Sequence, residues 1–300
     1  MRIEKLVVIG VGLIGASCAL AMRAAGAVGQ VIGIGRSQEN LRRAVARGVI
    51  DRGMMLGDDW TRELTDADFV LIAIPVAQYR ETLTALAPAL ARGAVVTDAG
   101  STKQDVVLAA RETLNDRLPQ FVPGHPIAGN ERSGADAGDA SLYVGRQVIL
   151  TPLPETSVAA LRRVEEFWTM CGARVERLDP ARHDRIMAAV SHLPHLLAFT
   201  LVAELASRQD SAEYMSNAGS GFRDFTRIAG SSPEMWRDIA LANRDALLTE
   251  LVAYRGALDA LMLSIEHGDR AALDAMLGRA AETRRRWGET AAGVGVGAAT

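Results

Sequence analysis

The chain has 300 residues, room for two domains at the ~100–200 residues usual for one. Its 49% hydrophobic content supplies material for cores, and a formal charge of −3 offers no broad basic field, which argues against a nucleic-acid partner. Two cysteines far apart in sequence, Cys18 and Cys171, have the apolar or small-residue surroundings of buried thiols in a reducing cytosol rather than of a disulfide or metal pair. No uninterrupted apolar run approaches the ~20 residues of a membrane helix, and the first apolar run is broken by glycines, unlike a signal peptide. A cytoplasmic protein with no membrane partner is therefore expected.

The opening stretch organises the rest. An aliphatic strand from Lys5 runs into Gly10-Val-Gly12-Leu13-Ile14-Gly15, and a small-residue helix, Ala16 to Ala25, follows. In this G-x-G-x-x-G spacing Gly10 makes the tight turn, Gly12 admits a pyrophosphate close to the backbone, and Gly15 lets helix pack on strand. The free N–H groups and positive end of that helix would hold the phosphates. A second strand, Gln30 to Gly35, lies at the right distance. About 20 residues beyond the glycines an NAD site usually carries an acid that binds the ribose 2′-hydroxyl. Here Gly35, Arg36 and Ser37 stand there instead. Nothing repels a 2′-phosphate, and the Arg36 guanidinium is suited to bind one. The expected cofactor is NADP, with NAD as the alternative.

Asn40 to Arg47 reads as a helix, and Asp68 to Ile74 as a strand buried on both faces, ending at Pro75, where a cofactor-facing loop begins. A helix from Tyr79 to Leu90 and a strand from Ala94 to Thr97 continue the alternation of a doubly wound sheet. Next come Asp98-Ala-Gly-Ser101-Thr102-Lys103 and a helix through Leu114. Ser101 or Thr102 suits an N-cap, and the same helix start is a substrate site if it lies beside a nicotinamide. In Gly124-His125-Pro126 a histidine sits in a rigid loop at the end of a short strand, a place suited to catalysis. Gln147–Thr151 and Ala173–Arg177 read as further strands, joined by a helix from Glu155 to Met170.

From Asp179 the pattern turns helical: Pro180 to Ser207 with Pro194 inside, Pro233 to Glu266, and Arg270 to Trp287, before a low-complexity tail. The expected domains are 1–179, 180–290 and a tail at 291–300. His192 and His195, three apart, share a helix face unless Pro194 bends or breaks the helix. Without a nearby acidic ligand their spacing is poor for zinc, so no metal is expected. In Gly219 to Arg227, glycines lead into a helix where Asp224 either pairs with Arg227 in an ordinary salt bridge or aims an arginine at a carboxylate substrate.

Taken together, Gly10–Gly15, Asp98–Lys103, Gly124–Gly129, His183-Asp184-Arg185, Ser191–His195 and Gly221–Arg227 resemble, in order, the motifs of the prephenate dehydrogenase family, which includes arogenate and cyclohexadienyl dehydrogenases. The resemblance implies a Rossmann-type doubly wound sheet followed by an all-α domain for substrate binding and dimerisation, hence a homodimer. It implies oxidative decarboxylation of a small-molecule substrate, prephenate or arogenate, in tyrosine biosynthesis. By the same resemblance His125 accepts the C4 hydroxyl proton with help from Ser101, and Arg227 grips the ring carboxylate. His195, Glu131 and Trp236 then line the side-chain end. A fall of kcat at low pH through one ionisation near the ordinary histidine value of about 6.5 is expected from His125. A β-hydroxyacid dehydrogenase is the rival enzyme, but it wants a catalytic lysine that Pro180 to Ser207 lacks. A non-catalytic NADP sensor needs the phosphate site without the combination of His125, Ser101 and Arg227.

Overall fold

The structure, a computed structural model, describes residues 2–129 and 132–293. Two compact units emerge, Met1–Arg244 and Asp245–Thr300. The first begins β1 (Ile3–Ile9), α1 (Leu13–Ala24), β2 (Val28–Gly35), α2 (Gln38–Ala46), β3 (Arg52–Met55), β4 (Phe69–Ile72), α3 (Tyr79–Leu86), β5 (Val95–Asp98), α4 (Gln104–Thr113) and β6 (Phe121–Val122). These six strands form one parallel sheet ordered β3-β2-β1-β4-β5-β6, whose order reverses between β1 and β4. Such a reversal opens a ligand crevice at the carboxyl ends of the strands.

The sheet is buried on both faces. Leu6 and Val8 of β1 join a core with Met22, Phe69, Phe167 and Trp168, while Val7 and Ile9 join another with Ile72, Tyr79, Leu83 and Val106. Alternate residues of one strand thus feed opposite cores, which is why the strands read as continuous aliphatic runs. Phe69 and Phe167 stack with centroids 4.3 Å apart. Cys18 and Cys171 are buried free thiols, brought from distant positions to 3.7 Å between sulfurs.

The chain continues through β7 (Gly124–Pro126), β8 (Gln147–Leu150), α5 (Val158–Met170) and β9 (Arg174–Arg177). The last two strands expected from the sequence do not extend the main sheet; with β7 they form a separate one, β7-β8-β9. The edge strand β3 was not evident in the sequence, because four partly exposed residues, Arg-Gly-Met-Met, carry neither alternation nor an aliphatic run.

Helices follow: α6 (Pro180–Met187), a π-helical turn at Ala188–His192, α7 (Leu193–Ala206), α8 (Ser211–Ser216), α9 (Ser220–Thr226) and α10 (Pro233–Ala242). Pro180–Ala206 is, among the described residues, the one helical run long and apolar enough to cross a membrane by length and composition. Its first turns carry Arg182, His183, Asp184 and Arg185, and Asp184 binds the start of α4. The helix expected from Pro233 to Glu266 is two helices, since Asn243 ends α10. The second unit holds α11 (Arg244–Glu266) and α12 (Arg270–Gly293). α12 runs three residues into the expected tail, and 294–300 lie outside the described residues.

Candidate active site

In the main sheet Ile9 pairs with both Ile34 and Ile72, and Ile72 with Asp98, so the turns after β1, β2, β4 and β5 leave along one edge. Each motif glycine meets a different demand there. Gly10 has φ +100°, and a Cβ on it would lie 2.2 Å from the Ala73 carbonyl oxygen. A Cβ on Gly15 would lie 2.1 Å from the Gly10 oxygen, so α1 packs on β1 only with glycine. Gly12 meets the opposite condition: a Cβ there finds nothing within 4 Å. It is also the N-cap of α1 and offers no capping side chain, whereas Ser37 and Ser157 cap α2 and α5. Uncapped N–H groups beside open space fit a dinucleotide pyrophosphate. Leu13 is buried, and the Ile14 carbonyl accepts from Tyr143 Oη at 2.6 Å. Arg36 is exposed just past β2, and half-buried Pro75 starts the turn after β4.

The β5–α4 connection is welded to the neighbouring strand by a buried ion pair. Lys103 Nζ donates to Asp98 Oδ2 at 2.5 Å and to the Gly124 carbonyl at 2.7 Å. Asp98 in turn accepts from the Gly124 and Gly100 N–H groups at 2.9 and 2.8 Å. The residue before His125 is therefore fixed by both members of the pair. The expected cap by Ser101 or Thr102 does not form. Instead Asp184, some eighty residues on, accepts from the Lys103 and Gln104 N–H groups at 2.8 and 2.9 Å, capping α4 in trans. Ser101 is left half-buried in the turn before it.

His125 Nδ1 lies 2.8 Å from His183 Nε2, and His183 Nδ1 lies 2.7 Å from Asp184 Oδ1. His183 is fully buried and Asp184 is 1% exposed. Burial pushes the His125 imidazole well below its usual pKa, and the charges of His183, Lys103 and His192 add to the effect. The ionisation expected near 6.5 is thus displaced to lower pH, because the half-buried ring on β7 is desolvated. Burial alone would raise the Asp184 carboxyl, but the His183 contact and the two α4 N–H groups outweigh it and hold it below the usual range.

Pro194 neither breaks nor ends the helix that carries the other histidines. It falls in the first turn of α7, directly after the π turn, where a missing N–H is tolerated. That turn also re-aims side chains. At ~100° per residue, an unbroken α-helix would put His183 and His192 on opposite faces. One extra residue in a π turn brings His192 to within about 80° of His183, and His195 to about 20°. His192 is 1% exposed, and Asn243 Nδ2 donates to its Nδ1 at 3.1 Å and to the Asp184 carbonyl at 2.8 Å. Burial lowers the His192 pKa to about 4, against the opposing pull of Asp184.

Trp236 connects His192 to the outer residues. Its ring meets His192 edge-on at 6.1 Å and stacks on His195 at 3.7 Å, while Nε1 donates to Ser231 Oγ at 2.8 Å. His195 donates through Nδ1 to the Ser191 carbonyl at 2.8 Å if that nitrogen carries its proton. Burial lowers the His195 imidazole, the Ser191 bond works against this, and the charge of Arg227 adds to the lowering. Arg227 lies exposed at the end of α9 and opens the Arg227–Gly230 turn, which packs against α7, the helix that carries His195. Glu131 lies outside the described residues. In the sequence His183-Asp184 stands out only as part of a motif without a role, and Asn243 carries no signal at all.

Comparison with known proteins covers both halves. Residues 18–177 match the family model for the prephenate dehydrogenase nucleotide-binding domain, and residues 179–279 that for the prephenate dehydrogenase dimerization domain. A cyclohexadienyl dehydrogenase of Zymomonas mobilis is 35% identical over 274 residues, spanning 89% of this chain and 90% of that protein. A prephenate dehydrogenase of Bacillus subtilis is 35% identical over 268 residues, spanning 89% and 71%. Among solved structures, a prephenate dehydrogenase from A. aeolicus in complex with hydroxyphenyl propionate and NAD+ aligns with a TM-score of 0.89 at 34% identity, over 95% of this chain and 99% of that one. A Synechocystis arogenate dehydrogenase gives 0.78 at 31% identity, over 95% and 100%. A glycine turn shaped for a dinucleotide, a supported histidine on β7 and matches across both halves have one common source: the chain belongs to the prephenate dehydrogenase family.

Proposed function

We propose that this chain oxidatively decarboxylates prephenate, arogenate or both, as a step of tyrosine biosynthesis. The observation that carries the reading is His125, held on β7, whose Gly124 N–H bonds Asp98 at the carboxyl end of β5, the edge where the glycine turn and Pro75 lie. The substrate is a cyclohexadiene with a ring carboxylate and a C4 hydroxyl. A bound nicotinamide would accept hydride from C4. His125 takes the hydroxyl proton as C4 becomes a carbonyl. When the ring carboxylate leaves as carbon dioxide, its bonding electrons make the ring aromatic and the oxygen recovers that proton. Neutral imidazole suits this exchange, and burial keeps His125 neutral.

Arg227 is the cation for the ring carboxylate, and His195 and Trp236 serve the side-chain end. Ser101, in the turn between β5 and α4, helps to place the hydroxyl. The grip on the carboxylate must orient more than it stabilises, since tight ground-state binding would slow its loss. Gly35 and exposed Arg36 support a preference for NADP over NAD. Exposed Leu258, Met262 and Ile265, at helical spacing on α11, support a homodimer, as does the dimerization model. A division into 1–179, 180–290 and 291–300, in a cytoplasmic enzyme, accords with this reading.

The test is turnover of prephenate and arogenate with each cofactor, following reduced nicotinamide and carbon dioxide together. Equal yields of both products are expected from at least one substrate. Reduction without carbon dioxide, or no turnover of either substrate, would refute the assignment.

A further inference from the structure

We infer that His183 and Asp184 are a positioning pair that holds the proton of His125 on Nδ1, leaving its Nε2 bare as the nitrogen that accepts the substrate proton. This rests on the reading of His125 as the proton acceptor, and it assigns a task to two buried residues outside that reading.

The assignment follows from what each atom can do. Asp184 takes backbone N–H groups on both oxygens, Lys103 N–H on Oδ1 and Gln104 N–H on Oδ2, so it sits as an acceptor-only carboxylate. The 2.7 Å contact from its Oδ1 to His183 Nδ1 therefore requires the proton on that nitrogen. A neutral His183 then has a bare Nε2, which can only accept. The 2.8 Å contact to His125 Nδ1 consequently needs its proton on His125. With Nδ1 protonated, a neutral His125 has only Nε2 left to act as a base.

The pair works against the ring's own preference, because imidazole in water favours the proton on Nε2. Without His183, His125 would mostly present a donor where an acceptor is needed. A His183 protonated on both nitrogens would instead donate from Nε2 to His125 Nδ1, and the His125 spectrum distinguishes the two arrangements. Asn243, which donates to the Asp184 carbonyl, fixes the carboxylate's backbone from the other side.

The experiment is long-range proton–nitrogen NMR on the full chain labelled with ¹⁵N-histidine, whose five histidines keep the spectrum tractable. The His125 signal is identified by its loss in His125→Asn. At pH 8 the wild type should show His125 protonated on Nδ1 and bare on Nε2. In His183→Leu the proton should move to Nε2, and kcat should fall about 10²-fold, the low end of what a general base supplies. KM for substrate and cofactor should stay within about twofold, a split that a merely structural defect would not give. His183→Gln, whose amide oxygen can accept from Nδ1–H, should recover part of kcat. A wild-type His125 protonated on Nε2 would overturn the inference, as would a folded His183→Leu with normal kcat. The wild-type spectrum decides even if the leucine variant fails to fold. Because the tautomer is read without turnover, the proposed function fails separately, through retained activity in His125→Asn.

Discussion

Lys103 Nζ and Asp98 Oδ2 meet at 2.5 Å with both side chains fully shielded from solvent. Such a pair costs much to bury and more to halve, because removing one partner strands the other charge. Lys103→Met should therefore destabilise the chain by about 3–5 kcal/mol. The double variant Asp98→Asn, Lys103→Met should recover a large part of that. Urea unfolding of both variants measures the difference. A single variant within about 1 kcal/mol of wild type would mean that the pair is not what fixes Gly124.

Cofactor choice turns on the end of β2. Arg36→Ala should reduce kcat/KM for NADP about tenfold or more, the effect of losing a charge-assisted contact of roughly 1.5–3 kcal/mol, and should leave NAD nearly unchanged. Steady-state rates with both cofactors test this. A wild type that prefers NAD, or a variant with an unmoved ratio, would remove Arg36 from the 2′-phosphate.

The two arginines of α9 and its end should separate. Both are exposed, but only Arg227 bears on His195. Arg227→Ala should raise KM for the substrate by about tenfold or more while leaving cofactor binding intact; Arg223→Ala should change it little. Equal effects at the two positions would mean that the carboxylate is held elsewhere.

The parts of this site that were legible in the sequence are those whose constraint is local. Gly15 shows in the chain because a Cβ there strikes the Gly10 oxygen five residues back, and Gly10 because its φ of +100° favours glycine. The runs Leu6–Ile9 of β1 and Phe69–Ile72 of β4 show because burial on both faces demands unbroken apolar stretches. Asp184 gave no comparable signal: it caps a helix from a distant point in the chain, so Ser101 and Thr102 looked like the caps. The π turn at Ala188–His192 was equally hidden, since Pro194 marks a disturbance without saying whether the helix bends or adds a residue. The acid ionisation of His125 was misplaced for the same reason. Enclosure comes from packing, which spacing does not encode.

His192 should make stability sensitive to acid. Its folded pKa of about 4 lies below the ordinary 6.5, so the unfolded chain binds the proton more readily. Stability is then full above about 6.5 and falls as pH drops toward 4, with ~3 kcal/mol at stake at 1.36 kcal/mol per pH unit. His125 is shifted the same way and adds to the slope. His192→Gln should flatten the fall in Tm between pH 6.5 and 4 relative to wild type. An unchanged slope would mean that the buried His192 does not resist protonation.

The central claim is that His125 carries the proton chemistry, and kcat of His125→Asn as a function of pH tests it most directly. A loss of about 10²–10⁴-fold is expected, with cofactor affinity unchanged because the glycine turn holds the phosphates. Wild-type kcat should fall through one ionisation that lies below 6.5, in keeping with the enclosed ring, and this limb should be absent in the variant. A variant with near-normal kcat and the same acid limb would contradict the account and leave His125 a structural residue.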